Sequence, residues 1–186
     1  MEWFLPIIIG VGLSAACGFR VFVPLLIMSL AAHTGLLNLS HGFEWIGTWP
    51  AATAFAIATL LEISGYFIPW LDNLLDTIAT PAAVLAGILA TASLLGDYSP
   101  FLRWALAIIA GGGAAGLIQA STTALRGLSS TTTGGLANPA LSIFEILGAL
   151  GISISAILIP LFAIVLVLIL ITFAVSRLVK KRKQTG

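Results

Sequence analysis

Four ionisable residues lie inside apolar stretches of the chain. Arg20 sits in GLSAACGFRVFVPLL and Arg126 in GLIQASTTALR, while Glu62 sits in TLLEISG and Glu145 in SIFEILG. A guanidinium is permanently charged and offers a planar fork of donors that fits a carboxylate or a phosphate. A carboxyl group withdrawn from water can take up a proton. The arginines therefore suit an anionic or polar solute, and the glutamates suit proton carriage or gating. The competing reading is that the four merely pair and hold helices together. Each charge at the centre of a bilayer helix costs roughly 2.5–3.5 kcal/mol even on the lenient insertion scale. Such residues persist where they pair, line a wet cavity or carry the function.

Small and hydroxyl residues flank the arginines. Gly10, Ser14 and Cys17 recur at spacings of four and three, and Gly112, Gly116, Ala120 and Thr123 follow a similar rhythm. Stripes of this kind let helices approach closely. Gly18 before Arg20 and the triple glycine 111–113 are expected break points, at which backbone N–H groups come free. Ser14, Thr122 and Thr123 join the four charges as candidate solute-binding or coupling residues. Gly12, Gly18, Pro24, Gly112, Gly116 and Pro139 are candidate break or packing positions. The hydroxyls of residues 129–133 read as a polar loop with capping side chains.

The elements that must position these residues follow from hydropathy. Hydrophobic residues make up 59% of the 186 and charged ones 8%, against about 25% charged in soluble domains. Mean hydropathy is +1.12. An all-α integral membrane protein is expected, as one membrane domain over 1–186. A span needs about 20 apolar residues, and six are placed: 3–31, tilted or broken near Gly18 or Pro24; 50–70; 78–95; 101–126; and two from the block 139–178, divided near Ile157. Arg177, Lys180, Lys181, Arg182 and Lys183 supply five of the eight basic residues. A basic run beside a span end marks the cytoplasmic side, so 179–186 reads as a cytoplasmic tail. Six spans then put both termini in the cytoplasm. Trp3 and Trp70 fall at the inner interface, and Trp45, Trp49 and Trp104 at the outer one. The Asp72/Asp76 turn and RGLSSTTTGGLANP face inward.

The spans also read as a repeat. GVGLSAACGFR from Gly10 aligns without a gap on GLIQASTTALR from Gly116, so Arg20 falls on Arg126, and LLEISG matches IFEILG, so Glu62 falls on Glu145. Units 1–98 and 99–178 each hold three spans, with the first and fourth broken or tilted. The second copy must enter the membrane inverted, as in many secondary transporters. The arginines fall at depths that inversion demands; the two glutamates both fall in the inner half, which it does not predict. Arg126 and Glu145, separated by one loop, are the expected ion pair.

Other chemistries find no support. One cysteine, Cys17, precludes an internal disulfide. His33, His41, Asn38 and Glu44 in the outer loop match no metal-ligand spacing, so no metal and no cofactor is expected. Phosphate loops, nucleophile elbows and nucleic-acid signatures are missing from the sequence, and enzymatic activity is not expected.

GLSAACGFRVFVPLL, LLEISGYFIPWLDNLLDTIATP and NPALSIFE together resemble a family of small bacterial multi-spanning membrane proteins known as a domain of unknown function. The resemblance covers nearly the whole chain. It implies that Gly12, Gly18, Arg20, Pro24, Glu62, Pro69, Asp72, Asp76, Asn138, Pro139 and Glu145 occupy motif positions. It also implies the bacterial cytoplasmic membrane as location. Tyr66 and Phe67 stand where the family carries an Asp-Lys pair, and Ile146 where it carries an acid.

The expected function is a small transporter or channel for a small anionic or polar solute, with proton coupling through the glutamates. Its partners would be membrane lipid, the solute or ion and a second copy in a homodimer, with no nucleic acid. A non-transporting scaffold and translocation of a lipid phosphate are the alternatives.

Overall fold

The computed structural model describes residues 3–65 and 69–182; the side chains of 69–77, 174, 175 and 177–182 lie outside what it describes. Among the described residues there is no strand. The helices are α1 (Phe4–Cys17), α2 (Phe22–His33), α3 (Trp49–Gly65), α4 (Pro69–Ala92), α5 (Pro100–Leu106), α6 (Gly113–Thr133), α7 (Asn138–Leu158) and α8 (Pro160–Arg182). A short 3-10 turn, Glu44–Gly47, precedes α3, and a π segment, Ala107–Gly112, joins α5 to α6. Pro100–Thr133 and Asn138–Leu158 are long and apolar enough to cross a membrane, and shorter apolar helices accompany them.

The first apolar stretch breaks where Gly18 and Pro24 allow. Pro24 has no N–H with which to close a bond onto Arg20, so a helix cannot run unbroken through this region. A new helix can start just before it, because a first-turn residue needs no intrahelical donor. Gly18 ends α1, its N–H donating to Ala15 O at 3.1 Å. A Cβ at Gly18 would lie 2.5 Å from Ala115 O and 2.7 Å from Ile118 Cβ. Only a hydrogen fits there.

After the break the chain turns back. α1 runs antiparallel to α4: Tyr98 beyond α4 donates its hydroxyl to Trp3 O, Gly10 faces Thr91 and Ser14 bonds Gly87 O. α2 runs antiparallel to α3: His33 stacks near Trp49 and the start of α2 meets Glu62. The loop after α2 returns to the end of α4, where Ser40 N donates to Ser93 O at 2.6 Å. Both outer ends of the α1–α2 hairpin therefore lie at one end of the bundle, here the upper end, together with Trp3, Trp49 and Tyr98. At 1.5 Å per residue the break lies about 20 Å below it.

The remaining helices alternate. α5–α6 descends against α4, with Gly111, Gly112 and Gly116 facing Thr91, Ile88 and Val84. α7 rises antiparallel to α1, Gly148 beside Phe19 and Ala156 beside Gly12. α8 starts near Gly12 through Ala163 and descends. Within the bundle Trp3 lies at the upper end and α8 runs towards the lower one, because the first apolar stretch folds back on itself as a hairpin. This moves Trp3 to the end that holds Trp45, Trp49 and Trp104. Trp70 lies outside the described side chains.

Three smaller expectations change. The fourth stretch is not broken at the triple glycine: the helix continues through a π segment, in which one wider turn absorbs the misfit. Gly112 and Gly116 are contact positions facing Ile88 and Val84. The strip 129–133, read as loop, is the last turn of α6, ended by Gly134 at φ +64. The Asp72/Asp76 region has helical backbone in α4. Pro139 sits in the first turn of α7, and the boundary with α8 falls at Ile159.

The bundle is polar and small inside and apolar outside. Among the described residues more than half of the buried apolar side chains are alanine, and fifteen polar or charged residues are buried with them. Leu60, Leu61, Ile109, Phe101, Leu147, Leu161 and Phe162 are exposed. Soluble proteins rarely show apolar surface on this scale. The apolar helices and this surface are consistent with a membrane protein.

Candidate functional site

The base of the α1–α2 hairpin collects the four charges. Arg20 lies in the break, Glu62 on α3, Arg126 on α6 and Glu145 on α7, with exposures of 1, 9, 3 and 5%. Among the described residues Arg20 is the largest side chain that is fully buried. Among the described residues the group holds two arginines and two glutamates.

Glu145 takes both arginines. Arg126 Nε donates to Glu145 Oε1 at 3.0 Å, and its Nη2 donates to Glu145 Oε2 and, at 3.0 Å, to Ser142 Oγ. This is the side-on fork that makes arginine–carboxylate pairs directional. Arg20 Nη2 lies 3.1 Å from the same Oε2 and donates to Ser142 O at 3.4 Å. Arg126–Glu145 is the pair expected from the sequence. That Arg20 shares its carboxylate was not.

Glu62 does something different. Its Oε1 accepts Val21 N–H at 2.8 Å and its Oε2 accepts Phe22 N–H at 3.0 Å. These donors are left over at the start of α2, where the chain has no earlier carbonyls to meet them. The positive end of the helix dipole adds to the attraction. The N–H groups expected at a break are thus present, and Glu62 occupies them. Glu62 lies thirteen residues below Trp49, about 20 Å from the upper end, and Glu145 meets Arg20 at the hairpin base.

The other candidates divide. Ser14 donates to Gly87 O at 2.6 Å and lies 2.7 Å from Thr91 Oγ1; it fastens α1 to α4 two turns above Arg20. Thr122 donates to Gln119 O and Thr123 accepts from Gln119 Nε2, both within α6. Gly12 faces Ala156, where a Cβ would sit 2.7 Å from the alanine methyl. Pro24 is buried in the first turn of α2. Ser142, which touches both arginines, was missed. Its position one turn before Glu145 on one helix face was the available signal. Among the described residues no group of three His, Cys, Asp or Glu could hold a metal. Arg103, at the upper end, caps α4 by donating to Leu95 O at 3.1 Å and Gly96 O at 3.3 Å.

A family profile described as a domain of unknown function, DUF4126, matches residues 7–180. The chain belongs to this family. The DUF4126 match takes in the hairpin, all four buried charges and Ser142. No curated protein and no solved structure matches the chain. The departures at Tyr66 and Phe67 lie outside the described residues, and Ile146, beside Glu145, is partly buried.

Proposed function

We propose that this DUF4126 chain is an integral membrane protein that passes a small anionic or polar solute, captured here in a closed form. Five helices or helix pairs cross in this reading: α3, α4, α5–α6, α7 and α8. The α1–α2 hairpin enters and leaves by the upper face. Non-crossing hairpins are tolerated in a membrane where protein surrounds them, and the buried, small-residue faces of α1 support that. Tryptophans 3, 45, 49 and 104 would mark one interface. The basic residues after Ser176 would mark the opposite, cytoplasmic side of a bacterial inner membrane. α3 and α4 run opposite to α7 and α8, which supports an inverted relation that starts at Arg20 and Arg126.

The carrying observation is the cluster of buried arginines and glutamates around the break in the hairpin. Burying an ion costs several kcal/mol even after relaxation, and an apolar replacement is often at least as stable. A role beyond stability is therefore the better account. Arg20 and Arg126 would receive the solute's negative group, and a glutamate would balance charge by taking a proton. Purified protein in liposomes should move a small anion at a rate that depends on pH, and Arg20→Ala should abolish it. Absence of flux across a broad panel of anions and cations would overturn the proposal.

A scaffold reading is favoured by one observation: Arg20 and Arg126 both meet the Glu145 carboxylate, and Glu62 meets backbone donors. It requires that Arg126→Glu combined with Glu145→Arg restore the fold that either change alone destroys. Lipid identified by mass spectrometry in the purified protein would instead favour a phospholipid headgroup as the solute.

A further inference from the structure

The two buried glutamates stand in unlike surroundings. Glu145 is gripped by two guanidinium groups, one of them through both carboxylate oxygens. Its negative charge is required by its neighbours. Glu62 accepts from two neutral backbone donors, Val21 N–H and Phe22 N–H. Those donors belong to the start of α2, directly after the break. α1 and α2 are therefore joined at a hinge, and the lower end of α2 is tied to α3 through one carboxylate.

We propose that Glu62 is a proton-operated latch on the α1–α2 hairpin, and that Glu145 is a fixed counter-ion. As a carboxylate, Glu62 accepts at both oxygens. One proton from water, added to Oε2, turns that acceptor into an O–H donor facing the Phe22 N–H. The second bond is lost, and the negative charge that met the helix dipole goes with it. The latch is closed when Glu62 is charged and opens as pH falls. Arg20 in the break, Cys17 on α1 and Glu145 on α7 are the charged or titratable groups that interact with it among the described residues. None of them donates to its oxygens. The inference deepens the transport reading by naming the proton site.

The chain carries its own reporter. Cys17, the one cysteine, is fully buried three residues before Arg20. The measurement is the rate of Cys17 labelling by N-ethylmaleimide in liposomes, divided by the rate for the unfolded chain at the same pH. This division removes the pH dependence of the thiol once it is exposed to water. Protection should fall as pH is lowered in the unaltered protein, as the carboxylate takes up a proton. Glu62→Gln should label about tenfold faster or more, as loss of one bond to a charged group requires, and at a rate that no longer varies with pH. Flat protection in the unaltered protein, or pH dependence that survives in Glu62→Gln, overturns the latch. Should Glu62→Gln not fold, Glu62→Asp keeps a shortened carboxylate and must shift the midpoint; an unshifted midpoint overturns it too. Labelling needs no solute, so the latch and the transport reading can fail separately.

Discussion

Replacing Glu145 by Gln removes the one carboxylate that Arg20 and Arg126 share. Two buried guanidinium groups then face a neutral amide, with Glu62 as the remaining buried anion among the described residues. Breaking a buried ion pair from one side costs about 3–5 kcal/mol, against a total stability of about 5–15 kcal/mol. Glu62→Gln is milder. An amide oxygen still accepts one of the two N–H groups, so the expected loss is one bond to a charged group, about 1.5–3 kcal/mol. Arg126→Gln with Glu145→Gln restores charge balance between Arg20 and Glu62. The pair should therefore be less damaging than the sum of its singles, with a coupling of up to about 3 kcal/mol. Tryptophan fluorescence during SDS-induced unfolding in mixed micelles measures each variant. Additive singles, or a Glu62→Gln loss larger than that of Glu145→Gln, would refute the reasoning about which carboxylate bears the arginines.

Packing and loop chemistry add two further expectations. Gly18→Ala drives a methyl to 2.5 Å from a backbone oxygen, whereas a Cβ at Gly113 meets nothing within 4 Å. The first should cost about 1–3 kcal/mol as overpacking and the second should stabilise α6 by up to about 1 kcal/mol; thermal unfolding in detergent orders them. In the loop before α3, the Glu44 backbone N–H holds its own carboxyl below the usual carboxylate range, and Gly42 N–H adds to this at 2.6 Å. A lowered folded value means the contribution is complete above the ordinary carboxylate pKa and is lost as pH falls through the lowered one. Trp45 fluorescence should report that acid transition, and Glu44→Gln should remove it.

Much of the helix inventory was legible because hydropathy and helix breakers act locally. The division of the last apolar block near Ile157 lies two residues from the observed boundary at Ile159. Pro24 and Gly18 mark a break whose cause is local, a missing donor and a missing Cβ. The Arg126–Glu145 pair was legible because one short loop separates the two residues. The triple glycine misled, since glycine serves both breaks and close contacts, and here α4 presses against it. The hydroxyl strip 129–133 misled for a related reason: threonine and serine satisfy themselves on the preceding turn of a helix, as Thr131, Thr132 and Thr133 do.

By itself the sequence determined that the chain is helical, that its large side chains are apolar and that four charges lie in apolar stretches. Those are properties of residues and of their near neighbours. Direction was not among them: hydropathy has no sign along the chain, so a hairpin and a crossing of equal length read alike. The return of α2 was decided by contacts between distant residues, Ser14 on Gly87, Ser40 on Ser93 and Tyr98 on Trp3. The same return decided which carboxylate meets arginine and which meets backbone, since only tertiary packing brings the start of α2 to Glu62.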